Sequence, residues 1–289
     1  MDYKTIILNR KSVREYKNTD IKEEYLSEIK KYSESCKKLV PEIDVDVRIM
    51  NRSEVFNNLD KVAGYKGNMI DSPSYIIILS DIKDNYIENS GYIGESIIFK
   101  VTELGIGSCW VTFEDGKKVK EKLGINSDKE VTGIIAIGYG VNVSNAKVLN
   151  ATKTGQNYSK SDMQVVTDKG STRLGVEDVV YMNEWGNVAS IEILEERALL
   201  DAFHYARLAP STLNRQPWRF IVDGGTVVLA VRKDGHTNLY EEKIDIGIVM
   251  LYFATIISAT MFDLKWNLGT PDKDYKVPED YKIVGYCNI

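Results

Sequence analysis

The residues best placed to do chemistry form one short run, Ala209-Pro210-Ser211-Thr212-Leu213-Asn214-Arg215-Gln216-Pro217-Trp218-Arg219-Phe220. Proline fixes φ and removes an N–H donor, and Pro217 is expected to push Gln216 toward extended geometry. A backbone this constrained can hold the polar groups of Ser211, Thr212 and Asn214 at fixed positions against a flat ligand. The competing reading is a helix stop followed by a proline-rich turn. A second run, Arg10-Lys11-Ser12-Val13-Arg14-Glu15-Tyr16, lies about two hundred residues earlier (a separation far beyond any local motif). Guanidinium forks suit phosphate oxygens; the competing reading of these arginines is a solvated surface patch.

Other chemistries are poorly provided for. The chain has two histidines, His204 and His236, and three cysteines, Cys36, Cys109 and Cys287, without metal-like spacing. That leaves little for a histidine-rich metal site or a Ser-His-Asp triad. An odd cysteine count suggests a reducing compartment, and residues 1–10 lack signal-peptide character, so a cytoplasmic location is expected.

Its 289 residues are 43% apolar and 27% charged, with 37 basic against 42 acidic side chains for a net charge of −5. This is enough chain for one large domain or two modest ones. No general attraction for nucleic acid or an anionic membrane follows. The run 246–262 is apolar and closed by Asp245 and Asp263. It is at the short limit of a spanning helix and has acidic flanks, so a buried core helix is the preferred reading.

The elements that must position these residues follow from periodicity. Residues 2–9 read as a short lead. A helix over 21–39, capped by Thr19 or Asp20 and ended by Pro41, precedes a strand at 43–50. Residues 52–70 read as irregular. A buried strand at 75–79, a core helix at 91–104, a glycine-punctuated turn at 105–113, a short helix at 117–123 and a buried strand at 131–138 come next. Residues 141–171 are polar and longer than an ordinary connection, and read as a surface excursion. The order then repeats: an amphipathic helix at 194–208, strands at 220–222 and 226–231, a core helix at 246–262 and a closing strand at 282–286. Aligning Gly94 with Gly247 gives an offset of 153, and Gly138-Tyr139 with Gly285-Tyr286 gives 147. An internal duplication is expected, with a first half over 1–188 and a second, shorter half over 189–289. Chance agreement of two helix–strand series is the alternative.

Several spellings together resemble the FMN-dependent nitroreductases. They are residues 10–16, the run Gly105-Ile106-Gly107-Ser108-Cys109-Trp110-Val111-Thr112-Phe113, Ile137-Gly138-Tyr139, residues 172–186 ending in Asn183-Glu184-Trp185-Gly186, and residues 209–220. The resemblance implies an α+β fold in which each half has a mostly antiparallel sheet flanked by helices. Members of that family are homodimers with FMN at the interface, one subunit supplying the arginine motif and the other the Pro-Ser-x-x-Asn loop. Here the arginine motif occurs only in the first half and the loop only in the second, which implies a fused pseudo-dimer with one FMN per chain. Such a chain has no need of a partner, so a monomer is expected.

The resemblance also implies roles. Arg10, Lys11 and Ser12 belong to the phosphate and ribityl end, and Arg14 to the pyrimidine edge. Backbone N–H groups at Thr112 and Phe113 belong to flavin N5 and O4, and Arg173 to the phosphate. Ser171 stands where the family has a lysine, so Lys169 is a substitute or the contact is missing. Pro210, Ser211, Thr212 and Asn214 close on the flavin, while Gln216 and Trp218 anchor the loop and Trp110 and Cys109 pack. The implied activity is hydride transfer from NADH or NADPH to a small acceptor such as a nitroaromatic or quinone, with no obligatory side-chain acid or base. A non-catalytic flavin carrier or sensor is the alternative, and a duplicated scaffold without cofactor a third.

Overall fold

Apolar, β-branched runs build the first sheet. Val45–Asn51 (β1), Ser74–Ser80 (β2), Gly107–Val111 (β3) and Glu130–Gly138 (β4) form four antiparallel strands in the order β1-β2-β4-β3. Every residue of β2 and β4 is buried, so these central strands read as nearly unbroken hydrophobic runs. The structure, a computed structural model, describes residues 1–141, 172–233 and 235–289 and the backbone of 146–150 and 163–167.

A second sheet contains Val180–Met182 (β7), Trp218–Asp223 (β8), Thr226–Arg232 (β9), Asn267–Leu268 (β10) and Tyr281–Asn288 (β11) in the order β7-β8-β9-β11-β10. Strands β8, β9, β11 and β10 repeat the order and antiparallel pairing of the first sheet, and β7 is added in parallel to β8. In the expected excursion, Ala146–Asn150 (β5) and Met163–Thr167 (β6) pair antiparallel. The rest of 142–171, including Lys169 and Ser171, lies outside the described residues.

The helices are Tyr3–Asn9 (α1), Glu23–Ser35 (α2), Arg52–Leu59 (α3), Tyr86–Glu103 (α4), Gly116–Lys122 (α5), Ile191–Glu196 (α6), Leu200–Ala206 (α7) and Leu239–Thr260 (α8). α4 and α8 cross at two glycines. A Cβ on Gly91 would lie 2.5 Å from the Ile244 carbonyl oxygen, and one on Gly247 would lie 1.9 Å from that of Glu88. Only residues without a side chain let the two backbones approach this closely. α8 is long and apolar enough to cross a membrane by length and composition, but 72% of its most apolar window is buried inside the protein. It is a core helix.

Several local expectations change. Within the expected lead, Tyr3–Asn9 is helical: the side chain of Asp2, its N-cap, accepts from Thr5 N at 3.3 Å, and Ile6 and Ile7 are buried. Tertiary packing supplies what so short a helix lacks alone. The 21–39 helix ends at Ser35 and starts after Lys22, without a side-chain cap. Residues 52–70 contain α3, started by an Asn51–Glu54 capping box. The glycine-punctuated turn is strand β3, because β4 offers it a full ladder. The 194–208 helix is two helices. Ala198, at φ 57°, breaks it, with Leu199 N donating to Leu194 O at 2.8 Å as in a Schellman ending. Residues 175–178 form a turn closed by Asp178 N donating to Gly175 O at 3.2 Å.

The core does not respect residue 188. Ile6 and Ile7 of α1 and Val180 and Met182 of β7 pack in one cluster with α7, α8 and the second sheet.

Candidate functional site

The Arg10–Tyr16 run leaves α1 and lies along β3 as an added edge. Ser12 bridges Ser108 in parallel, Val13 N donates to Ser108 O at 2.9 Å, and Tyr16 bridges Gly140. Gly107 makes room for this: a Cβ there would lie 2.8 Å from Val13 Cγ2. Lys11 and Arg14 are exposed. The Arg10 side chain turns inward and is 7% exposed, with Nε 3.9 Å from Oε1 of the fully buried Glu95.

Glu95, on α4, was not among the sequence candidates. It accepts from Trp110 Nε1 at 2.7 Å and from the Tyr252 hydroxyl of α8 at 3.1 Å. Burial pushes its carboxyl above the ordinary range, opposed by Arg10, Trp110 and Tyr252. Burial also works against the Arg10 charge, but Tyr252 and Glu95 outweigh it and hold the guanidinium above its usual value. A lone glutamate inside the apolar run Ile93-Gly94-Glu95-Ser96-Ile97 was the available signal, since an isolated buried charge needs a partner. Trp110, expected only to pack, also donates this hydrogen bond.

The Thr112–Phe113 corner is held through its carbonyls. Gly64 N donates to Thr112 O at 2.7 Å, and the Asn238 side chain, at the start of α8, donates to Phe113 O at 3.0 Å. The buried Phe113 ring lies 4.7 Å from that of Tyr240. The first ends of α8 therefore grip the corner that follows β3.

The Ala209–Phe220 run leaves α7 and passes through a tight turn at Thr212–Asn214 before β8. Leu213, Asn214 and Gln216 have φ of 53°, 56° and 48°. Gln216 is thus left-handed and not extended. Its N–H is drawn to Ser211 Oγ at 2.9 Å, and its side-chain oxygen accepts from Leu174 N at 2.8 Å. Three non-glycine residues in this region cost of order 1–3 kcal/mol each and persist only where the surroundings enforce them. One enforcer is the buried Asp245 of α8, whose two oxygens accept from Thr212 N at 3.1 and 3.0 Å. Pro210 and Trp218 are buried, and Ser211 and Thr212 are half-buried.

The two remote runs meet at Arg173. Its Nη1 donates to Asn214 Oδ1, and Asn214 Nδ2 donates to Thr172 O at 2.8 Å. Burial lowers the Arg173 pKa, and the nearby charges of Arg10 and Arg207 lower it further, with Tyr252 and Glu95 opposing. Arg207, also missed from sequence, donates from Nη1 to Leu174 O at 3.0 Å, and its buried Nε has no partner among the described residues. Arg10, Arg173 and Arg207 thus lie close together, with Glu95 as the carboxylate paired to Arg10 and felt by Arg173. A donor-only set with excess positive charge fits a phosphate group. Among the described residues no cluster of side chains could hold a metal ion.

A family model described as "Putative TM nitroreductase" matches residues 2–257. The chain belongs to that nitroreductase family. A Thermotoga maritima "putative nitroreductase" is similar in structure over 100% of this chain and 94% of its own, at 18% identity and a TM-score of 0.57. That likeness shows the nitroreductase fold. An FMN-dependent nitroreductase from Clostridium difficile R20291 aligns over 54% of this chain and 92% of its own, at 23% identity and a TM-score of 0.41. A Bacteroides fragilis nitroreductase with bound FMN aligns over 57% and 99%, at 17% identity and a TM-score of 0.41. At such scores these two establish no structural correspondence. No curated protein matches the chain.

Proposed function

We infer that this family member is an FMN-dependent oxidoreductase that takes hydride from NADH or NADPH and passes it to a small acceptor such as a nitroaromatic or quinone. The observation that carries this reading is that Arg173 makes a hydrogen bond to Asn214 of the second run and lies within electrostatic range of Arg10 of the first, beside Glu95 and Arg207. FMN, when bound, supplies the hydride chemistry of its ring. The chain supplies binding and orientation. Arg10, Ser12 and Arg173 take the phosphate end. Arg14 favours negative charge at the pyrimidine edge. The backbone at Thr112 and Phe113 fixes the reacting edge of the ring, held in place by Gly64 and Asn238. Pro210, Ser211 and Thr212 close over it. No side chain is assigned as an acid or base.

The same reading makes the chain a fused pseudo-dimer with one composite site. The repeated sheet order supports it, as does the reciprocal crossing of α4 and α8. So does a pair of tryptophans: Trp110 Nε1 donates to Glu95 of α4, and Trp266 Nε1 donates to Met250 O of α8 at 3.0 Å.

The test is an absorbance spectrum and flavin-to-chain ratio on protein purified with FMN present. About one FMN per chain is expected, followed by bleaching with NADH or NADPH and turnover on an added acceptor. Bleaching without turnover would favour a carrier or sensor. A ratio near two would mean that the counterpart site binds as well, and protein that retains no flavin would sink the reading.

A further inference from the structure

We propose that Asn214 is a positioning residue for Arg173 and not a contact to the flavin ring, so that the loop after α7 sets how the chain recognises the cofactor's phosphate. This rests on the FMN reading above.

Both ends of the Asn214 amide are committed to residues 172–173. Its oxygen accepts from Arg173 Nη1 and its nitrogen donates to Thr172 O at 2.8 Å. The amide orientation is fixed by chemistry, because a guanidinium only donates and a backbone carbonyl only accepts. Gln216 repeats the pattern one step along. Its Oε1 accepts from Leu174 N at 2.8 Å, and its Nε2 donates to Thr172 O at 3.3 Å and to Asn214 O at 3.1 Å. Arg207 Nη1 closes the bracket on Leu174 O. Three side chains from one segment thus hold both the backbone and the guanidinium of another.

The backbone of the loop is shaped for this grip. Asn214 and Gln216 both adopt left-handed φ, which turns their side chains to the same partner segment, while Thr212 N is pinned to Asp245. Asparagine is among the few residues that accept this conformation readily. With its oxygen on Arg173 and its nitrogen on Thr172 O, the Asn214 amide is held toward residues 172–173. It offers Arg173 a fixed direction, which is what phosphate recognition by a planar fork requires.

The experiment compares affinities for FMN and for riboflavin, which lacks the phosphate, in wild type, Asn214→Ala, Arg173→Ala and the double variant. Quenching of flavin fluorescence reads binding, and circular dichroism confirms folding. Asn214→Ala is expected to weaken FMN about tenfold and riboflavin less than twofold, and the double variant should be no worse for FMN than Arg173→Ala alone. Equal loss for both flavins, or additive losses, would overturn the inference in favour of a ring contact. Should Asn214→Ala fail to fold, Asn214→Gly removes the same two hydrogen bonds without straining the positive φ. It should show the same phosphate-selective loss, and an unselective loss overturns the proposal. Wild-type protein that binds neither flavin overturns the FMN reading itself, and this inference with it.

Discussion

Gly91 and Gly247 are reciprocal: each meets the backbone of the other's helix, Gly91 at Ile244 and Gly247 at Glu88. The differences 247 − 91 and 244 − 88 are both 156, so the contact has the form of an isologous interface, in which i meets j and j meets i. It pairs Gly91, rather than Gly94, with Gly247. Gly94 instead leaves room for the Trp110 ring, whose Cη2 would lie 2.3 Å from a Cβ there. Gly91→Ala and Gly247→Ala should each destabilise by about 1–3 kcal/mol, because both would force a Cβ into backbone. Urea midpoints measure this. A Gly247→Ala variant as stable as wild type would refute the close crossing.

The Glu95 carboxylate is the sole buried acid beside the Arg10 side chain within ion-pair range among the described residues. Glu95→Ala would leave a buried guanidinium without a counter-charge and strip Trp110 and Tyr252 of an acceptor, at a cost of about 3–5 kcal/mol. Tyr252→Phe removes one hydrogen bond and should cost about 1 kcal/mol. Denaturant unfolding of the two variants decides it: equal, small effects would mean that the charge pair contributes little.

Asp245 gives a pH signature. Burial raises its pKa well above the ordinary carboxylate range, with Glu241 acting in the same direction and the Thr212 N–H and Arg215 opposing. A carboxyl raised in the folded state contributes stability that is complete below its unfolded pKa. That stability is lost as pH rises through the folded value. Asp245→Asn keeps an acceptor for Thr212 N but does not titrate. The Tm of wild type minus that of Asp245→Asn should therefore fall as pH rises from the acid side toward neutrality. A difference flat with pH would show that Asp245 does not titrate as argued.

Leu213 is exposed and holds φ 53°. A β-branched side chain is a poor occupant of that region, so Leu213→Val should cost about 1–2 kcal/mol, while Leu213→Gly should change stability by less than about 0.5 kcal/mol. Thermal unfolding separates them; similar effects from both would mean that the turn relaxes.

On the pseudo-dimer reading proposed above, the protein should sediment as a monomer of 32.7 kDa. Equilibrium sedimentation giving twice that mass would show that a second interface exists and would call for the site to be re-examined in the dimer.

The sequence by itself determined the strands β2, β4, β9 and β11 and the core helices α4 and α8, because apolar runs and their periodicity are local properties. It also marked residues 209–220 as a constrained loop, because proline acts on its own backbone and its neighbour's. The tertiary structure alone decided that α1 is a helix, that residues 105–113 contain a ladder strand and that Ala198 divides α6 from α7, since each depends on packing or pairing with distant chain. It alone decided the partners in the site. Glu95 finds Tyr252 across 157 residues and Arg173 finds Asn214 across 41. The energy of a buried charge or a left-handed turn is set by what surrounds it in space, and no window of sequence contains those neighbours.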